Sequence, residues 1–302
     1  MQEMIDRIAK DARRTAQEGK VASYIPALAS VDPSRFALVV RTASGEEFST
    51  GDADEPFSIQ SVSKLFALAL AMRWIGDPLW EKVGREPSGM RFNSLIQLET
   101  EKGRPRNPFI NAGAIATTDA LMSTRPDYSA DLLKQLRLLS GNSGLSRDDD
   151  VHQSEKETGD LNRAMAYVLR AHRKLENDPI AVTDAYFGAC SIAASARDLT
   201  RAAMFLVTPQ PGAAACADGR DAQRIRAIMR TCGMYDQSGE FAFRVGLPGK
   251  SGVGGGIVVV QPNQFAACAW SPPLDRFGNS LAGQVALESL AAQLCFPDSS
   301  SA

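Results

Sequence analysis

The chain has 302 residues, 44% apolar and 23% charged. That composition fits one large globular domain or two modest ones, and it excludes disordered, collagen-like and coiled-coil chains. Lys and Arg number 33 against 35 Asp and Glu, a formal charge of −2, so the basic excess of a nucleic-acid binder is missing and no such partner is expected.

Five cysteines (Cys190, Cys216, Cys232, Cys268, Cys295) are widely spaced without a C-x₂-C pair. They read as inert thiols in a reducing cytoplasm, not as zinc ligands or a redox motif. Met1 to Lys20 is charged throughout and lacks an apolar signal core. No apolar run approaches the roughly 18 residues of a membrane span. The expectation is a cytoplasmic protein with no membrane partner.

In chain order, Met4, Ile5, Ile8, Ala9, Ala12 and Ala16 share one side of a helix. Ala37 to Arg41 is a β-rich run, the turn signal Ser44-Gly45 follows, and Glu46 to Thr50 pairs back as a short hairpin strand. Leu65 to Ile75 reads LFALALAMRWI, too long for a typical buried strand and poor in β-branched residues. It predicts a helix buried on all sides. Leu132, Leu133, Leu136 and Leu139 recur at helical spacing, as do Leu161, Met165, Val168 and Leu169, with a polar stretch from Gly141 to Asp160 between them. Leu199 to Val207 reads as the end of a helix, and Pro209 to Asp221 as a connector. Ile225, Ile228, Met229 and Cys232 mark another helix face. Three strand candidates come next: Phe241 to Val245, Gly256 to Gln261 and Phe265 to Trp270. Asn279 to Leu294 is a closing helix, and Ser299 to Ala302 is a fraying tail.

Strands early, helices in the middle and strands late predict an α/β chain of the α+β type. The N- and C-terminal strands form one mostly antiparallel sheet flanked by helices. Residues 1–302 make a single unit, with 1–60 and 209–302 holding the sheet and 61–208 an inserted helical lobe. The cleft between the lobes is the default site.

Two motifs carry chemistry. Ser61-Val62-Ser63-Lys64 puts a serine and a lysine three apart at the mouth of the buried helix, so Lys64 Nζ can reach Ser61 Oγ while Ser63 points elsewhere. A neutral lysine can take the serine proton as the oxygen attacks a carbonyl carbon. Neutrality at pH 7 requires the lysine pKa to fall by about 3, worth about 4 kcal/mol, and burial beside the positive end of a helix pushes that way. The plain alternative is a capping serine with a snorkelling lysine. Lys250-Ser251-Gly252, followed by Val253-Gly254-Gly255-Gly256, matches the third element of the serine β-lactamase and penicillin-binding signature. A backbone N–H there, with that of Ser61, can form an oxyanion hole. The alternative is a Gly-rich hairpin. His152 and His172 read as surface residues, and Asp148-Asp149-Asp150 lacks the rest of an EF-hand loop. Neither a cofactor nor a metal is expected.

These motifs come in a longer series. Tyr24-Ile25-Pro26 and Gln60-Ser61-Val62-Ser63-Lys64 are followed by Glu86-Pro87-Ser88-Gly89, Arg91-Phe92-Asn93 and Asn107-Pro108 with Asn111-Ala112-Gly113-Ala114-Ile115. Gln153-Ser154-Glu155, Gly159-Asp160 with Asn162, Cys232-Gly233-Met234-Tyr235-Asp236, Gly246-Leu247-Pro248 through Val253 and Trp270-Ser271-Pro272-Pro273 complete it. In this order the segments resemble the serine-dependent glutaminase family, which has a β-lactamase-like fold. The resemblance implies hydrolysis of the side-chain amide of L-glutamine to L-glutamate and ammonia through a serine acyl-enzyme. Residue by residue it implies Ser61 as nucleophile and Lys64 as its base, with Tyr24 and Tyr235 beside the reacting centre. Asn111, Glu155, Asn162 and Tyr186 match substrate ligands, together with Ser61 and Tyr235, and Val253 matches a backbone contact.

Each residue also has a plain reading: Glu155 as a solvated charge, Asn111 and Asn162 as helix caps, Tyr186 and Tyr235 as packing. The chemistry agrees with the family, since a carboxylate suits the α-ammonium of glutamine and asparagines suit its carboxylate. The family further implies a homo-oligomer, dimer or tetramer. Two rivals stand on the same scaffold: a penicillin-recognising serine acyl-transferase and a catalytically silent glutamine-binding protein.

Overall fold

Strand residues alternate between two faces, and in the central strands of this chain both faces are apolar. The structure, a computed structural model, describes residues 1–90, 93–209 and 216–295. Eight strands lie among them: β1 Ala37–Thr42, β2 Glu47–Gly51, β3 Phe57–Ser58, β4 Ser146–Arg147, β5 Ile192–Ala194, β6 Gly249–Ser251, β7 Gly256–Gln261 and β8 Phe265–Trp270. Five form one antiparallel sheet in the order β2-β1-β8-β7-β6, which joins the early hairpin to the late strands through Ala37 opposite Trp270. Leu38, Val40, Ile257 and Val259 face Ile5 and Ile8 of the helix Gln2–Ala12 and Leu287 and Leu290 of the helix Leu281–Leu294. Val39, Val258, Val260 and Cys268 face the other way, in one cluster with residues of the helices Ser63–Trp74, Ala196–Ala202 and Gly219–Cys232. Burial on both sides is why GIVVVQ and FAACAW are continuous apolar runs instead of alternating ones.

The Ser63–Trp74 helix is buried all round as its composition requires, with every residue from Ser63 to Met72 inside. It packs against Asn111–Thr124, which shares a further cluster with Asp160–Ala171 and Pro179–Cys190. Those three helices carry Asn111, Asn162 and Tyr186.

Four readings need correction or addition. Phe241 to Val245 is not a strand: it falls in the helix Ser238–Arg244 and its cap. Phe-Ala-Phe has strand periodicity, but on the helix Phe241 turns inward, 4% exposed, while Phe243 is 88% exposed; a strand would have put both on one face. The edge strand that is present is β6, which holds Lys250. A second sheet, β3-β5-β4, was not anticipated, because strands of two or three residues show no period. Finally, the polar stretch 141–160 contains the helix Asp149–Thr158, started by Asp148, whose carboxylate accepts the Val151 N–H at 3.0 Å. The Arg91-Phe92 segment, residues 210–215 of the connector and the tail from Ser299 lie outside the described residues.

Two glycines let the β6–β7 connection press onto the segment before the buried helix. A Cβ on Gly252 would stand 2.6 Å from Ile59 O and 3.1 Å from Ser61 N, and one on Gly254 would stand 2.1 Å from Ser58 O. Gly252→Ala is therefore expected to lower activity by about 100-fold or more, because displacing the backbone around a catalytic group by ~1 Å costs that much. Steady-state kinetics on the folded variant check this, and wild-type rates would remove the close approach from the account.

Candidate active site

Ser61 belongs to a tight 3₁₀ turn, Gln60–Val62, that runs directly into the Ser63–Trp74 helix. The turn is entered through Gln60, a buried non-glycine residue with φ of 48°. Tyr235, with φ of 54°, is a second non-glycine residue in the left-handed region. Such conformations cost of order 1–3 kcal/mol each and collect where structure over-determines them. Both flank Ser61.

Lys64 is 2% exposed. Its Nζ donates to Asn111 Oδ1 at 2.6 Å and to Phe109 O at 3.2 Å, and lies 5.6 Å from the Tyr186 ring centre. The direct bond to Ser61 expected from one-turn spacing is not among these contacts. The left-handed Gln60 and the 3₁₀ turn set Ser61 off the phase of a continuous α-helix. Burial lowers the Lys64 pKa from 10.5 to about 8, against the opposing pull of Cys190 and the Glu155 carboxylate. A neutral amine has two hydrogens and one lone pair. The two carbonyl oxygens use both hydrogens, which leaves the lone pair for a proton.

Asn111 and Asn162 are not caps. The helix starting at Asn111 has no side-chain cap, and Asn111 is committed elsewhere: its Oδ1 also accepts the Tyr186 hydroxyl at 3.3 Å, and its Nδ2 donates to Asn162 Oδ1 at 3.0 Å. Asn162 lies two residues inside its helix, which begins at Asp160. Tyr186 is buried, 4% exposed. Glu155 is no solvated charge either; it is 6% exposed, and burial raises its pKa from 4.5 to about 7, opposed by a Gln60 hydrogen bond and by Lys64.

Tyr235 is buried, and desolvation raises its pKa above that of a free phenol, so its proton is firmly held. Its hydroxyl is within hydrogen-bonding reach of Ser61 and donates to Ser251 O at 3.4 Å. Tyr24 has an exposed ring, but its hydroxyl end is desolvated next to Tyr235 and Glu155, which keeps the phenol protonated. Tyr24, Val253 and Asn93 line a cleft of about 840 Å³ bordered by residues 18–24 and 274–278. Ser61, 7% exposed, sits against Gly252, the residue next to Val253 of the cleft wall. Among the described residues, neither the Ser61 N–H nor the Val253 N–H has a hydrogen-bond partner.

Sequence reasoning passed over three contributors. Gln60 braces Glu155, Phe109 supplies a carbonyl to Lys64, and the Lys250 side chain is buried beside Tyr235. Gln60 and Lys250 stood inside the recognised motifs, while nothing local marks Phe109. His152 and His172 pair with Asp184 and Glu99. Among the described residues no group of three or more His, Cys, Asp or Glu is placed to hold a metal, and no helix is long and apolar enough to cross a membrane.

A helix-mounted serine with a desolvated lysine, set against the edge of an antiparallel sheet, defines the β-lactamase-like class of scaffold. The comparisons narrow it. The sequence profile described as Glutaminase matches residues 19–296. A glutaminase of Paraburkholderia phytofirmans is 50% identical over 289 residues, covering 94% of this chain and 95% of that protein. A thermolabile glutaminase of Rhizobium etli is 48% identical over 299 residues, covering 97% and 96%. Among solved structures, the probable glutaminase ybaS superposes with a TM-score of 0.89 at 36% identity, covering 98% of each chain. A probable glutaminase of Bacillus subtilis superposes with a TM-score of 0.87 at 29% identity, covering 97% and 95%. The chain belongs to the glutaminase family.

Proposed function

We propose that the protein is a glutaminase that hydrolyses the side-chain amide of L-glutamine to L-glutamate and ammonia through a Ser61 acyl-enzyme. The observation that carries the mechanism is the Lys64 amine, buried, with both of its hydrogens engaged by carbonyl oxygens. Ser61 Oγ bonds to the amide carbon as its proton passes to the Lys64 lone pair. The developing oxyanion takes the Ser61 and Val253 N–H groups. The C–N bond breaks as Tyr235 hands its proton to the departing nitrogen, which leaves as ammonia, and the proton held by Lys64 passes to the Tyr235 oxygen, restoring both residues. Water then attacks the glutamyl ester with Lys64 taking its proton; the bond to Ser61 Oγ breaks as Lys64 returns that proton to the serine oxygen, releasing glutamate. Glu155 takes the α-ammonium of glutamine, and Asn111, Asn162 and Tyr186 hold its remaining polar atoms, with Tyr24 at the cleft mouth.

Family membership selects glutamine over the penicillin-recognising and silent-binder alternatives. We read residues 1–302 as one catalytic unit without cofactor or metal, its helical part at 61–208. A cytoplasmic location is supported by free cysteines, four of them buried. The homo-oligomer rests on the family resemblance.

Protonation sets the pH profile. Glu155 must be ionised to hold an ammonium and Lys64 must be neutral to accept a proton, so kcat/KM rises with pH through about 7 and about 8. Glu155→Gln is expected to raise KM by about 30-fold or more, roughly 2 kcal/mol, and to remove the lower of the two steps. A coupled assay for glutamate across pH 6 to 9, roughly one unit beyond each pKa, checks both. A flat profile, or glutamine left intact by the wild-type protein, contradicts the reading.

A further inference from the structure

Lys250 is a second lysine with no exposed surface, and the reaction just described leaves it without a task. Its Nζ donates to Ser251 O at 2.5 Å and to Gly233 O at 3.3 Å, and it stands 4.7 Å from the ring centre of Tyr235 and 5.5 Å from that of Phe109. Gly233 O also accepts from Ser251 N at 3.1 Å and from Ser251 Oγ at 3.4 Å. These bonds tie the turn that carries Tyr235 to strand β6.

Ser251 O is shared. The amine holds it at 2.5 Å, while the Tyr235 hydroxyl reaches it only at 3.4 Å, the long limit of a hydrogen bond. A phenol that settled fully on this carbonyl would direct its proton at the backbone and away from the reacting centre. With the carbonyl held closely by lysine, the hydroxyl makes only this long bond to it and remains within reach of Ser61. Desolvation, reinforced by the nearby Lys64, lowers the Lys250 pKa well below 10.5, and an amine with two hydrogens matches two carbonyl acceptors.

We propose that Lys250 is a positioning residue: by holding Ser251 O and Gly233 O it keeps the Tyr235 hydroxyl's bond to Ser251 O long and so keeps that hydroxyl directed at Ser61. The inference rests on the proton-donor role of Tyr235 given above. It predicts that the two residues act as a unit. Lys250→Met lowers kcat by about tenfold or more and leaves KM within about threefold, but in a Tyr235→Phe background it costs less than about threefold, the signature of coupled sites in a double-mutant cycle.

The cycle is run on the full chain, with thermal melts confirming that each variant is folded. If Lys250→Met does not fold, Lys250→Gln replaces it, since an amide can still cap one of the two carbonyls; the same criteria apply. Equal losses in both backgrounds, or a loss confined to KM, overturn the inference while leaving the glutaminase mechanism intact. Full activity in Tyr235→Phe alone removes the proton-donor role of Tyr235 instead.

Discussion

Ser61→Ala lowers ammonia release from glutamine by at least about 10⁴-fold, because removing an acyl-transfer nucleophile leaves only binding and oxyanion stabilisation. The variant remains folded. Ser61 is nearly buried in a turn held by backbone bonds, including Val62 N–H to Ile59 O at 3.0 Å, and alanine removes one oxygen from it. A coupled glutamate assay and a circular-dichroism melt measure the two halves of this statement. Near-normal turnover would move the covalent chemistry to another residue.

Lys64→Met lowers kcat by about 10³-fold, within the 10²–10⁴ range of a positioned general base. Its stability is more informative. Lowering the pKa from 10.5 to about 8 makes the charged form cost about 3 kcal/mol in the folded state, at ~1.4 kcal/mol per pH unit. That penalty is complete below pH 8, shrinks as pH rises through the folded pKa, and is gone above 10.5. Methionine removes it but leaves Asn111 Oδ1 and Phe109 O short of a donor, at about 1–3 kcal/mol. The two terms nearly cancel at pH 7, so the inactive variant melts close to the parent. Relative to the parent it then becomes less stable between pH 8 and 10.5. Melts across that interval check the sign, and an active variant would exclude Lys64 as the base.

What could be read in the sequence depended on the range of the interactions involved. β7 and β8 match their predicted limits because uninterrupted apolar runs bounded by Gly and Pro-Asn leave few alternatives. The buried helix expected at Leu65 to Ile75 is present as Ser63–Trp74, starting two residues earlier. The helix at Ser238–Arg244 was misread because aromatic alternation over three residues is too short to separate a period of 2 from one of 3.6. At the site, the Ser61–Lys64 spacing identified the pair but not its geometry, which depends on the left-handed Gln60. The partners of Lys64 come from Phe109 and Asn111, more than forty residues away, and no local pattern encodes them. Lys250 was noticed as part of a strand motif, yet the contact of its side chain with Tyr235 exists only once β6 meets the 233–235 turn.

The central claim is that Lys64 titrates far below an ordinary lysine, near 8, so that the uncharged amine the reaction needs becomes available there. Nuclear magnetic resonance of lysines carrying ¹³C at Cε tests it directly, with the Lys64 signal assigned by its disappearance in Lys64→Met. The account predicts a titration midpoint near 8. A Lys64 signal that stays in its protonated position until it titrates with the exposed lysines, at about 10.4, would contradict it.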